Sequence, residues 1–142
     1  MDTDLQKVII TKIKVNWHKA NSLYNNYAKS VGLNITAIFI LDLLYNSNDI
    51  YTQKTICAKL EQPKQLVNSI ITSFWQQGFV ELREAKDRRN KIIVLTDKGV
   101  VYARKTLKPL QDAEERVLES LTADELSVFD ALLEKTNAIF EK

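Results

Sequence analysis

Apolar residues in the first part of the chain recur at spacings of three and four: Leu5, Val8, Ile9, Ile13, Trp17, Ala20, Leu23, Tyr24 and Tyr27. That spacing gathers them on one side of a helix predicted over about 4–30. Gly32 is placed to close it, because glycine readily takes the left-handed conformation of a helix C-terminus. A second helix, over about 36–45, carries the run Ala37-Ile38-Phe39-Ile40-Leu41. It is apolar on nearly all sides, which marks it as central to the core. Asn46-Ser47-Asn48-Asp49 is a turn signal, and two short helices follow it. Thr52 can cap the first, whose Ile56, Cys57 and Leu60 point inward. Pro63 suits the first position of the second, where its missing N–H costs nothing. That helix runs to Gln77 and stops at Gly78.

The periodicity then changes. Phe79-Val80-Glu81-Leu82 and Ile92-Ile93-Val94-Leu95 read as two strands, with a charged hairpin tip between them. Thr96-Asp97 opens a long helix to about residue 118. Thr122-Ala123-Asp124-Glu125 is a capping box that starts a last helix. The order is helix, helix, short helix, helix, hairpin, helix, helix. It predicts a mainly α fold with a small β-hairpin wing.

The helix over about 63–77 has two unlike halves. Leu66, Val67, Ile70, Ile71, Phe74 and Trp75 fall on one, and Gln65, Asn68, Ser69, Thr72 and Gln76 on the other. The polar half carries no charge, unlike an ordinary solvated helix. Asn and Gln can make paired hydrogen bonds to adenine edges in the major groove, and Ser and Thr can reach bases or phosphates. Lys64 stands at the helix N-terminus, where free N–H groups also favour phosphate. Alone, this face reads equally well as a polar surface with no ligand. Its neighbours decide the reading. A short helix, a turn and this helix form a helix-turn-helix, whose second helix enters the major groove. The wing, over about 83–91, brings Lys86, Arg88, Arg89 and Lys91 to its tip. A narrow loop with arginine can enter the adjacent minor groove, where negative potential is high. Asp87, among these cations, reads as a positioning partner for Arg89.

Composition sharpens this picture in two places. The net charge of +2 hides an asymmetry: residues 82–105 hold eight Lys/Arg against three acids, and 110–142 hold nine acids against three bases. One region can attract a polyanion that the other repels. Cys57 is the only cysteine, which agrees with a reducing, cytoplasmic setting. The rest is bland. With 142 residues, 45% apolar and 27% charged, the chain is expected to be a single soluble domain. The start, Met1-Asp2-Thr3-Asp4, is acidic, unlike a secretory signal. No apolar run approaches the ~20 residues of a membrane span.

The segment from Gln53 to Gly99 resembles the winged helix-turn-helix core of the MarR (multiple antibiotic resistance regulator) family. Asp87-Arg88-Arg89 followed by Leu95-Thr96-Asp97-Lys98-Gly99 is similar to that family's DxR…LTxxG wing signature. Pro63-Lys64-Gln65-Leu66-Val67-Asn68-Ser69 and Gln77-Gly78-Phe79-Val80-Glu81 match as recognition helix and first wing strand. The flanking helices fit as well. The resemblance implies one domain over 1–142, with a DNA-binding lobe at about 34–99 and helical dimerisation regions at about 1–32 and 100–142. It implies a homodimer on a palindromic operator in double-stranded DNA, usually as a repressor. It also implies Arg89 in the minor groove, held by Asp87. A small aromatic or phenolic effector would bind between the dimer helices and the lobe, where Trp17, Tyr24, Tyr27, Phe39 and Tyr45 are candidates. Aromatics at helical spacing are usually core, so core and interface packing is the favoured reading of these five.

The apolar stripes of the terminal helices argue independently for a two-fold partner, since a small winged domain offers little surface to cover them. Other chemistry has little support. His18 is the only histidine, so no metal site of zinc type is expected and no cofactor is implied. Cys57, next to Ile56, reads as a buried packing thiol rather than a sensor. There is no phosphate loop and no nucleophile-base arrangement, so an enzyme is not expected. The alternative is a winged-helix interaction module that no longer binds DNA. The wing cations favour DNA.

Overall fold

Asp2 opens the first helix by accepting the amides of Asp4 and Leu5. In the computed structural model, which describes residues 2–86 and 89–141 with backbone alone at 139 and 140, this helix, α1, spans Thr3–Ser30. It ends in a Schellman motif: Leu33 N–H reaches the Ala28 carbonyl at 2.8 Å and Gly32 N–H the Lys29 carbonyl at 3.1 Å. Gly32 is left-handed there, at φ 74°, as the motif requires. Helix α2 (Ile35–Asn46) is capped by Asn34, whose side chain accepts the Ala37 amide at 2.8 Å. A short β1 (Tyr51–Thr52) leads into α3 (Gln53–Leu60) and α4 (Lys64–Gln76). Strands β2 (Val80–Arg83) and β3 (Ile92–Leu95) form the hairpin, and α5 (Asp97–Glu119) and α6 (Ala123–Phe140) complete the chain.

The element order matches the sequence expectation except for β1. The sheet has three antiparallel strands in the order β1-β3-β2, with Tyr51 opposite Ile93 and Val80 opposite Leu95. Two residues are too few to show alternation, so Tyr51–Thr52 looks like loop in the sequence. It is held by pairing with β3 and by burial of Tyr51, whose hydroxyl lies 2.9 Å from Ser47 Oγ. Pro63 is also displaced by one position. It is the N-cap of α4, with extended ψ of 143°, and its carbonyl accepts the Val67 amide at 3.2 Å.

The chain divides after Leu107 into two compact units. The core of the first is built on α2, whose Ala37, Ile38, Ile40 and Leu41 are buried as its apolar run predicts. Ile56 of α3, Val67 and Phe74 of α4, Ile93 of β3 and Leu107 of α5 are buried too. Each large aliphatic enclosed in this way contributes about 1.5–3 kcal/mol. Helix α1 behaves otherwise. Of its residues only Ala28 is buried, and the stripe Leu5, Val8, Ile9, Ile13, Trp17 and Leu23 is exposed within the chain.

In the second unit, Thr122 and Glu125 form the expected capping box at the start of α6, at 3.0 and 3.1 Å. Val128, Phe129, Leu132 and Leu133 are exposed along α6. Among the described residues, no single helix is long and apolar enough to cross a membrane.

Candidate nucleic-acid interface

The helix-turn-helix is set by backbone caps. Thr52 and Thr55 close a reciprocal capping box on α3. At the other end Glu61 adopts φ 51° and ψ 47°, a left-handed conformation uncommon for a side chain with a Cβ, and the Gln62 amide returns to the Cys57 carbonyl at 3.1 Å. This sharp stop lets Pro63 begin α4 in a new direction. Helix α4 then ends in a second Schellman motif, with Phe79 N–H on the Phe74 carbonyl at 2.8 Å and Gly78 at φ 79°. The Phe74 and Phe79 rings meet edge to face at 6.3 Å, the apolar contact that often accompanies the motif.

Between these caps the helix presents its two halves. Val67, Ile70, Ile71 and Phe74 are buried, whereas Lys64, Gln65, Asn68, Ser69 and Thr72 are all exposed on the outward side. Trp75 departs from expectation. It falls on the apolar half of the wheel yet is 56% exposed. At ~100° per residue it lies at the edge of that half, one step around from Phe74 and close to the line of Asn68 and Thr72.

The segment Leu95–Gly99, which served in the sequence as a family signature, has a mechanical role. The Thr96 hydroxyl donates to the Gly78 carbonyl at 2.6 Å and accepts the Gly99 amide at 3.0 Å, capping α5. The Thr96 amide donates to the Phe79 carbonyl at 3.0 Å. Lys98 Nζ donates to the Gln77 carbonyl at 2.8 Å and stands 5.3 Å from the centre of the Phe79 ring. A cation at the carboxyl end of α4 is favoured by the helix dipole. The Tyr102 ring stacks flat on Phe79, with ring centres 3.9 Å apart. The wing base and the end of α4 are thus one bonded assembly.

A cavity of about 550 Å³ opens between α3, α4 and the wing. Lys54, Lys64, Arg89 and Lys91 bring positive charge to it, and Gln53, Asn68, Thr72 and Asn90 bring neutral polar groups. Its described lining contains no Asp or Glu. The apolar part is Cys57, Ile71, Trp75, Leu82 and Ile93. The structure therefore brings Lys64, Asn68, Thr72, Arg89 and Lys91 to one cavity. Gln65 and Ser69 lie along the exposed face of the same helix, and Lys86 is exposed on the hairpin. Asp87 and Arg88 lie outside the described residues, and with them the expectation that Asp87 holds Arg89. Cys57 is half-buried and lines the cavity rather than being sealed in the core. Lys54 and Gln53 were missed in the sequence because they belong to the first helix of the pair, where a lone lysine carries no pattern.

The five aromatics of the candidate effector pocket lie on α1 and α2. Tyr24 and Phe39 are in contact, with ring centres 5.4 Å apart. Trp17 lies seven residues before Tyr24, about 10 Å along α1, is 61% exposed and touches His18 edge-on. The Tyr27 hydroxyl donates to the Thr106 carbonyl. The Tyr45 hydroxyl accepts from Arg104 Nε at 3.3 Å. No group of three or more His, Cys, Asp or Glu suited to a metal ion occurs among the described residues.

A helix-turn-helix joined to a hairpin wing defines the class of protein: a winged helix-turn-helix. Residues 31–90 match the family model of the MarR family. No curated protein matches the chain. Among solved structures it is similar to NMB1585, a MarR family regulator from Neisseria meningitidis, at 22% identity with 93% of each chain covered and a TM-score of 0.77. It is similar to S. aureus MepR in its DNA-binding conformation, at 18% identity over 93% of this chain and 98% of that one, with a TM-score of 0.81. It is similar also to Streptococcus pneumoniae FabT in complex with DNA, at 15% identity over 96% and 97% of the two chains, with a TM-score of 0.73. This chain has the winged-helix fold of the MarR family's transcription regulators, and its central segment matches that family's model.

Proposed function

We propose that the protein is a sequence-specific DNA-binding repressor that acts in the cytoplasm as a homodimer on a pseudo-palindromic operator. Helix α4 enters the major groove and reads bases through Gln65, Asn68, Ser69 and Thr72, with Lys64 on phosphate. The hairpin enters the adjacent minor groove through Arg89, supported by Lys86, Arg88, Lys91 and Asp87. The observation that carries this reading is the pairing of an exposed, uncharged amide and hydroxyl face on α4 with a cavity beside it that gathers four cations. DNA recognition needs both parts: cations bind phosphate without regard to sequence, and neutral amides discriminate between bases.

The exposed apolar stripes of α1 and α6 support the dimer, because a second copy would remove them from water. Two-fold symmetry then sets half-sites about 34–36 Å apart. A small aromatic acid releases the DNA by favouring one separation of the two lobes. The Tyr24–Phe39 contact is the part of the candidate pocket that supports such a ligand.

Selection from a random duplex library at ~150 mM salt, where non-specific binding is weakened, tests the reading. Enrichment of a two-fold-symmetric site that Arg89→Ala loses is the expected result. Failure to enrich any site with a folded dimer would leave the protein as an interaction module.

A further inference from the structure

The cavity between α4 and the wing has an occupant that follows from duplex geometry. The major and minor grooves are separated by one sugar-phosphate strand. If α4 lies in the first and the wing tip in the second, that strand has to pass between them. In this protein the gap is the cavity of about 550 Å³, and cations reach it from three elements: Lys54 from α3, Lys64 from α4, and Arg89 and Lys91 from the hairpin. With no carboxylate in its described lining, the cavity is complementary in charge to a phosphodiester chain.

Lys54 and Trp75 are among its residues with no part in the base reading described above. Lys54 is exposed and lies outside the recognition helix. Trp75, beside Leu82, leaves more than half of its surface in water, although burying an aromatic of that size would be favourable. We propose that Lys54 and Trp75 grip the strand that crosses this cavity. The Lys54 ammonium pairs with a phosphate. The Trp75 ring packs on deoxyribose, and its indole N–H is a donor for a phosphate oxygen. This assignment rests on the DNA-binding reading and adds to it the contacts that set register rather than sequence.

The test uses the full-length protein and random-sequence duplex DNA at low salt, since the proposed contacts are to the backbone. The fluorescence of Trp75 is taken as the difference between the wild-type protein and Trp75→Phe, with circular dichroism confirming that the variant is folded. Bound DNA should shield this emission from acrylamide. Lys54→Ala should weaken binding by about threefold to tenfold, equally for random and selected duplexes, and lower the slope of log affinity against log salt by about one. The Lys54 measurement stands even if Trp75→Phe does not fold. DNA binding with Trp75 still open to acrylamide, or with affinity and salt slope unchanged in Lys54→Ala, would overturn the assignment and leave the DNA-binding reading intact. No binding to any duplex would overturn both.

Discussion

Gly99 approaches the Phe79 carbonyl so closely that a Cβ on it would lie 1.9 Å from the oxygen and 2.8 Å from the carbon. The clash would be with backbone, which cannot swing aside as a side chain can. Gly99→Ala should therefore force α5 away from the wing base and destabilise the fold by at least about 2 kcal/mol. A denaturant titration would show it, and a midpoint within error of wild type would contradict the close approach.

Glu61 gives the opposite expectation. Its left-handed backbone, φ 51°, suits glycine, and its side chain is exposed. Glu61→Gly should relieve strain by more than it adds to the entropy of the unfolded chain, a net gain of up to about 1 kcal/mol. Glu61→Ala keeps the Cβ and should gain nothing. Urea midpoints of the two variants would separate the effects.

Tyr27 and Tyr102 share a site at Thr106. Burial, and then the neighbouring Tyr102, push the Tyr27 phenol above its ordinary value. Burial pushes Tyr102 up as well, against a hydrogen bond with the Thr106 side chain that works the other way. The folded state thus holds these protons more tightly than the unfolded state. Their contribution is complete below the ordinary tyrosine value of about 10 and is lost as pH rises through the raised values. Melting temperature should fall above that point, and Tyr102→Phe should flatten the fall. Tyr27→Phe should cost about 1 kcal/mol at neutral pH, through its lost hydrogen bond to the Thr106 carbonyl.

Glu125 responds to acid. The backbone amide of Thr122 and then its hydroxyl hold the Glu125 carboxyl below its usual value. A lowered folded value means that the capping contribution is present at neutral pH and disappears as pH falls through it. Acid unfolding followed by helical circular dichroism should show a shallower acid limb in Thr122→Ala than in wild type.

Asn68 and Arg89 should fail in different ways. Asn68→Ala should relax base preference at one position per half-site, at a cost of ~1–3 kcal/mol for the preferred base. Arg89→Ala should weaken binding at least about tenfold, ~1.4 kcal/mol, with little change in thermal stability. Competition between selected and scrambled duplexes separates loss of discrimination from loss of affinity.

The helices were legible because their signals are local and long: the stripe on α1, the apolar run of α2, the two halves of α4 and the Thr122–Glu125 box. What escaped depends on distant partners. Tyr51–Thr52 is a strand only because Ile92 and Ile93 lie beside it. Trp75 sits at the edge of the apolar half of the wheel, where spacing alone does not decide between core and surface. Thr96, Lys98 and Gly99 were readable as a signature, but the bonds of Thr96 and Lys98 to Gln77, Gly78 and Phe79 span 17 to 21 positions, and neither they nor the approach of Gly99 to Phe79 can be inferred from spacing.

The contacts around Thr106 have a mechanical meaning. Tyr27 at the end of α1 bonds the Thr106 carbonyl, the Thr106 side chain bonds Tyr102, and Tyr102 stacks on Phe79, which locks the end of α4. The 28-residue α1, about 42 Å long, is thereby fastened at its C-terminal end to the close of α4. In the proposed dimer built on α1, the tilt of each α4 would be governed from the far end of α1, a long way from the proposed DNA-binding face.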